Sequence, residues 1–120
     1  MIKIGIAEDE GIVAMDLSRC LTDLGYEVVF IEDNGNHVLS SYEKHKPDLL
    51  LMDIELKGDI NGLNAAKKIK EKYNVKIIFL TAFEDESTLN KISAISSDGF
   101  IVKPFEDEEL DKVLKKVLCN

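Results

Sequence analysis

At 120 residues the chain is expected to form one domain, large enough to bury a single core without disulfide or metal staples. Its 15 Lys and Arg against 23 Asp and Glu leave a net charge of −8, the wrong sign for gripping a phosphate backbone, so no direct nucleic-acid binding is expected. No apolar run approaches the ~20 residues of a membrane span, and Met1 to Ile6 is too short and too alternating for a signal peptide, which makes a cytoplasmic location the default and leaves no membrane partner.

Ile2 to Ala7 is apolar and partly β-branched and stops at Glu8-Asp9-Glu10, which predicts a first strand with acids at its carboxyl end. Val13, Leu17, Leu21 and Leu24 then keep helical spacing, the preceding acids suit the helix dipole, and Gly25 stands where a glycine terminates a helix. Glu27 to Ile31 predicts a second strand. Asn34-Gly35-Asn36 reads as a turn before a weaker helix through Val38, Leu39 and Tyr42, ending ahead of Pro47. Leu49-Leu50-Leu51-Met52 is a short apolar run ending at Asp53, the pattern of a strand buried on both faces. After it, Ile54 to Gly62 is a glycine-bearing loop of the length that functional βα connections tend to have.

A third helix is expected through Leu63, Ala66 and Ile69 to Tyr73-Asn74, and a fourth strand over Val75 to Leu80, closing on Thr81-Ala82. Asp85 to Ser96 reads as a serine-weakened fourth helix carrying Leu89, Ile92 and Ile95. Gly99 to Val102 predicts a short fifth strand ending at Lys103-Pro104. Glu106 to Leu118 is a strongly amphipathic last helix whose acidic first turn fits the dipole. Cys20 and Cys119 form no metal or disulfide framework and read as plain thiols. Tyr26, Tyr42 and Tyr73 read as packing residues, and His37 and His45 as surface histidines.

Five strands alternating with five helices imply an α/β fold, a three-layer doubly wound (βα)5 sandwich of the flavodoxin-like kind, with a parallel sheet in the order 2-1-3-4-5. In that order the crevice opens at the carboxyl ends of strands 1 and 3. Glu8, Asp9, Asp53, Thr81 and Lys103 should therefore share one edge. Crowded carboxylates need a cation, and an oxygen-only site that keeps waters suits Mg²⁺. Asp53 beside Mg²⁺, with Thr81 and Lys103 placed for anionic oxygens, is equipped to attack phosphorus and hold an acyl phosphate. Glu10 reads as belonging to the start of the first helix.

Ile6-Ala7-Glu8-Asp9-Glu10, the run ending in Asp53, Leu80-Thr81-Ala82 and Phe100-Ile101-Val102-Lys103-Pro104-Phe105 together resemble the receiver domain of two-component response regulators, over residues 1–120. The resemblance implies that Asp53 accepts a phosphoryl group from a histidine kinase or histidine phosphotransfer protein. It also implies Asp9 as direct metal ligand, Glu8 acting through water, the Glu55 backbone carbonyl in the metal set, and Thr81 and Phe100 as the pair that rearranges. Lys103-Pro104 matches a peptide bond that is cis in the family. Such a protein is a signalling domain, an enzyme only in its own phosphorylation and dephosphorylation. It would act on a downstream effector that the sequence does not name and leaves room for a phosphorylation-dependent dimer.

The chain departs from the family pattern in Leu56-Lys57-Gly58, which replaces a Met-Pro, and in Gly62, one residue later than usual, so a different loop path is expected with the site intact. Ser96-Ser97 replace a commoner Gly-Ala. The Glu55 carboxylate is expected to tune the lifetime of the phosphorylated state. Two other classes compete: a dehalogenase-type aspartyl-phosphate phosphatase, which wants an Asp where Glu55 stands, and a receiver-like binding module that is not phosphorylated.

Overall fold

A computed structural model describes residues 1–82, 85–95 and 98–119. Its elements in chain order are β1 (Lys3–Ala7), α1 (Gly11–Asp23), β2 (Glu27–Glu32), α2 (Gly35–His45), β3 (Leu49–Asp53), α3 (Gly62–Lys72), β4 (Lys76–Thr81), α4 (Glu86–Ala94), β5 (Gly99–Val102) and α5 (Asp107–Leu118). The sheet is parallel throughout, in the order β2-β1-β3-β4-β5. The expected α/β architecture is present.

β3 occupies the centre of the sheet, and every one of its residues is buried. Alternation along the strand divides the core into two layers. Leu50 and Met52 pack with Phe30, Val38, Ala65, Ile69, Phe79 and Ile92 beneath α2, α3 and α4. Leu49 and Leu51 pack with Leu17, Leu21, Leu80, Leu110 and Leu114 beneath α1 and α5. A run of large apolar residues without polar interruption is what two covered faces require.

Several local expectations change. The acids before α1 lie outside its first turn, which carries none, because Glu8 is turned into the sheet edge and buried. Leu24 is 38% exposed, and the inward position falls to Cys20 instead, 3% exposed. Gly25 ends α1 as expected, at φ +94, with its N–H donating to the Thr22 carbonyl and that of Tyr26 to the Leu21 carbonyl. Asn34 is a helix cap and no free turn: its side chain accepts from the His37 N–H at 3.0 Å, so α2 starts at Gly35. Tyr42 and Tyr73 pack with ring centroids 4.9 Å apart. The expected extension of α4 to Ser96, and the Ser96-Ser97 departure, lie outside the described residues.

The loop between β3 and α3 is closely docked. Ile54 and Leu56 are buried, Asn34 and Lys57 pair as an isolated parallel bridge, and a Cβ on Gly35 would fall 2.1 Å from the Ile60 carbonyl oxygen. At its far end the Gly62 N–H donates to the Ile54 carbonyl at 3.0 Å, and Asn61 caps α3 by accepting from the Asn64 N–H. The loop is thus laid against the start of α2.

Candidate phosphoryl and metal site

Chain reversal between β1 and β3 opens a crevice at the carboxyl edge of the sheet. Its cleft, of about 270 Å³, is lined by Asp9, Glu10, Asp53, Ile54, Glu55, Lys57, Thr81, Ala82 and Lys103. Asp53, 6% exposed, is the last residue of β3. One of its carboxylate oxygens accepts from the Lys103 ammonium at 3.0 Å, the other from the Glu55 N–H at 2.9 Å. The loop beyond β3 supplies the second donor, and the peptide after β5 aims the first. The Lys103 N–H continues the ladder onto the Thr81 carbonyl at 2.7 Å, and Lys103-Pro104 is cis, as the resemblance implied.

Glu8 lies deeper, 2% exposed. Its Oε2 accepts from the Glu10 N–H at 3.2 Å. Oε1 sits 2.6 Å from the Lys103 ammonium, yet at an angle that makes no hydrogen bond, so this buried oxygen is charge-compensated but lacks a donor. Burial, then the neighbouring Asp53 carboxylate, pushes the Glu8 carboxyl from 4.5 up to about 7, against the lowering effect of Lys103. Burial pulls the Lys103 ammonium down, but Glu8 and Asp53 together outweigh it and hold Lys103 above its ordinary range. A lysine in this position is no snorkelling surface residue; its side chain is 14% exposed and grips both acids.

Because the folded-state pKa of Glu8 is raised, its contribution to stability is fully present below pH 4.5 and lost as the pH climbs through about 7. Glu8→Gln is thus expected to stabilise the metal-free protein at pH 8 by on the order of 2 kcal/mol, a figure lowered for the partner Lys103 loses, and to give little gain at pH 4.5. Urea unfolding in EDTA at the two pH values checks this; equal gains at both would contradict it.

The donor set fits a hard divalent cation. Glu8, Asp9 and Glu10 each present a carboxylate oxygen within 4.8 Å of the others, beside a buried Glu8 oxygen with no donor. Oxygen ligands with room for water are the preference of Mg²⁺. Glu10, read from sequence as a helix-start residue, does occupy the cap position of α1, where its carbonyl accepts from the Ala14 N–H. Its side chain makes no capping bond and joins the acidic group instead.

Asp9, Asp53, Glu55, Thr81 and Lys103 are thus brought to one cleft, with Glu8 beneath it. Phe100 is set apart and 39% exposed, so it is not core filling. Sequence reading missed the Glu8–Lys103 pair and the presence of Lys57 in the cleft wall. An acid directly following an apolar strand was a signal for the first; nothing in the local sequence marked the second.

A family model described as the response regulator receiver domain matches residues 4–115. The transcriptional regulatory protein PdtaR of Mycobacterium tuberculosis is 34% identical over 108 residues, 90% of this chain and 52% of that protein. The chain therefore spans about half the length of that relative. The chemotaxis protein CheY of Thermotoga maritima is 33% identical over 116 residues, 96% of each chain. Among solved structures, the receiver domain of a sensor histidine kinase from Pseudomonas aeruginosa PAO1, with a magnesium ion coordinated in its active-site cleft, superposes with a TM-score of 0.89 at 26% identity, covering 99% of this chain and 98% of that one. Fold and family model coincide over nearly the whole chain, and the protein belongs to the response regulator receiver domains of two-component signalling.

Proposed function

We propose that this receiver is a phosphoacceptor switch in which Asp53 takes a phosphoryl group from a phosphohistidine on a histidine kinase or phosphotransfer protein. One observation carries the reading: a single buried carboxylate at the end of the central strand has an ammonium on one oxygen and a backbone N–H on the other, at the floor of an open cleft. Attack of an Asp53 oxygen on phosphorus forms the acyl phosphate while the donor's bond to phosphorus breaks and its electron pair leaves with the donor. Lys103 and the Thr81 hydroxyl would each bond a phosphoryl oxygen. Mg²⁺, held by Asp9, Asp53 and the Glu55 carbonyl with Glu8 acting through water, would neutralise charge on the transferring group.

Phosphorylation favours an active state only by contacts that differ between states. Thr81 would turn toward the phosphoryl group and Phe100, now exposed, would move inward, altering the surface of α4, β5 and α5. A downstream effector and any phosphorylation-dependent dimer would read that surface. Among the described residues no helix is long and apolar enough to cross a membrane.

Incubation with acetyl phosphate and Mg²⁺, followed by intact mass, tests the reading. Wild type is expected to gain ~80 Da by phosphorylation of a carboxylate nucleophile, and Asp53→Asn to gain nothing. No gain in wild type favours the unphosphorylated binding module.

A further inference from the structure

The cleft wall carries four carboxylates, Asp9, Glu10, Asp53 and Glu55, and two ammonium groups, Lys57 and Lys103. Lys103 is engaged by Glu8 and Asp53 at 2.6 and 3.0 Å. Lys57 is exposed and, among the described residues, makes no ion pair or side-chain hydrogen bond. Its main chain is nevertheless firmly placed. Leu56 before it is 5% exposed, the bridge to Asn34 holds residue 57 itself, and Gly58 turns the chain at φ +100, where a Cβ would lie 3.4 Å from the Asn34 side chain. A flexible four-carbon stem on a fixed backbone gives an ammonium confined to the cleft mouth but free to follow an anion.

On the reading that Asp53 is the phosphoacceptor, we infer that Lys57 is the recruiting cation for the phosphodonor. A donor dianion approaching a chain of net charge −8 meets carboxylates on the cleft rim, and among the described residues Lys57 is the cation there that has no acid of its own. It pairs with phosphoryl oxygens during entry and exchanges no proton. The transfer itself stays with Asp53: its bond to phosphorus forms as the donor's bond to phosphorus breaks, P–N in a phosphohistidine and P–O in acetyl phosphate, from which acetate departs with the electron pair. Lys57 therefore acts on encounter, not on the maximal rate.

The test follows mass gain with time at several acetyl phosphate concentrations, in Mg²⁺, for wild type, Lys57→Met, Lys57→Glu, Lys67→Met and Asp53→Asn. Lys67→Met matches the charge change on an exposed α3 position away from the cleft. At low salt and limiting donor, Lys57→Met is expected to slow labelling about 3–5-fold and Lys57→Glu about 10-fold. Raising the donor concentration should recover the rate, and the difference should vanish near ~1 M salt, where screening acts within ~3 Å. Lys67→Met should match wild type. Equal rates for Lys57→Met and wild type overturn the inference, as does a lower maximal rate that added donor does not restore. A slowing shared by Lys67→Met also overturns it, since net charge would then suffice. If Asp53→Asn is labelled like wild type, the acceptor assignment fails, a result separate from either outcome at Lys57.

Discussion

Lys103→Met is expected to destabilise the metal-free protein by about 3 kcal/mol or more at pH 8, because two buried carboxylates lose their shared cation. Glu8 and Asp53 are 2% and 6% exposed, and Lys103 contacts both. Methionine keeps the length of the stem, so the loss reports charge and not packing. The pH dependence has a fixed sign. Without the ammonium, which lowers the Glu8 pKa, that acid binds its proton more tightly still, so the cost should shrink toward pH 5 and grow as Glu8 ionises. Added Mg²⁺ should return part of the stability if the acids hold it. Urea unfolding of wild type and variant in EDTA, then in Mg²⁺, measures all three effects. A companion Glu8→Gln/Lys103→Met double variant should lose clearly less than Lys103→Met alone, since the acid that needed the cation is gone. Unchanged stability of Lys103→Met at pH 8 would show that the pair is solvated after all.

Gly62→Ala should cost about 3 kcal/mol or more, with no charge involved. A Cβ there would lie 1.8 Å from the Asp53 carbonyl oxygen and 2.8 Å from its carbon. Neither side can yield cheaply: Asp53 belongs to the central strand, and the Gly62 N–H is bonded to the Ile54 carbonyl. The substitution must push α3 from β3 or displace Asp53 itself. Thermal unfolding gives the cost, and phosphorylation by acetyl phosphate should slow in the fraction that stays folded. A Gly62→Ala protein as stable as wild type would mean that α3 slides freely over the strand end.

Much of this architecture was legible because its signals are strong and local. The unbroken Leu49-to-Met52 run could be satisfied only by a strand covered on both faces, and Gly25 marked the end of α1 through a backbone conformation that other residues rarely adopt. The site followed once topology placed the strand ends together. The rest turned on contacts between residues distant in sequence. Leu24 keeps helical spacing with the core positions yet is exposed, while the polarisable thiol of Cys20 fits the interior. Glu8 and Lys103 meet only because β1 and β5 end on the same sheet edge. The seat of the β3–α3 loop depends on Gly35 admitting the Ile60 carbonyl, a contact that no pattern within either segment announces.

That loop also behaves as a measured spacer. It is anchored where Gly62 docks on the end of β3, nine residues after Asp53 (62 − 53 = 9), and between the anchors Leu56 faces inward while Lys57 faces out. Deleting one residue between Asp53 and Leu56 would exchange those two faces, pressing an ammonium toward the core and lifting a leucine into water. Deletion on the far side, between Gly58 and Asn61, would leave that alternation intact. Shortening this segment should therefore invert the two faces before the bridge to Asn34 and, after it, unseat the Ile60 carbonyl from Gly35.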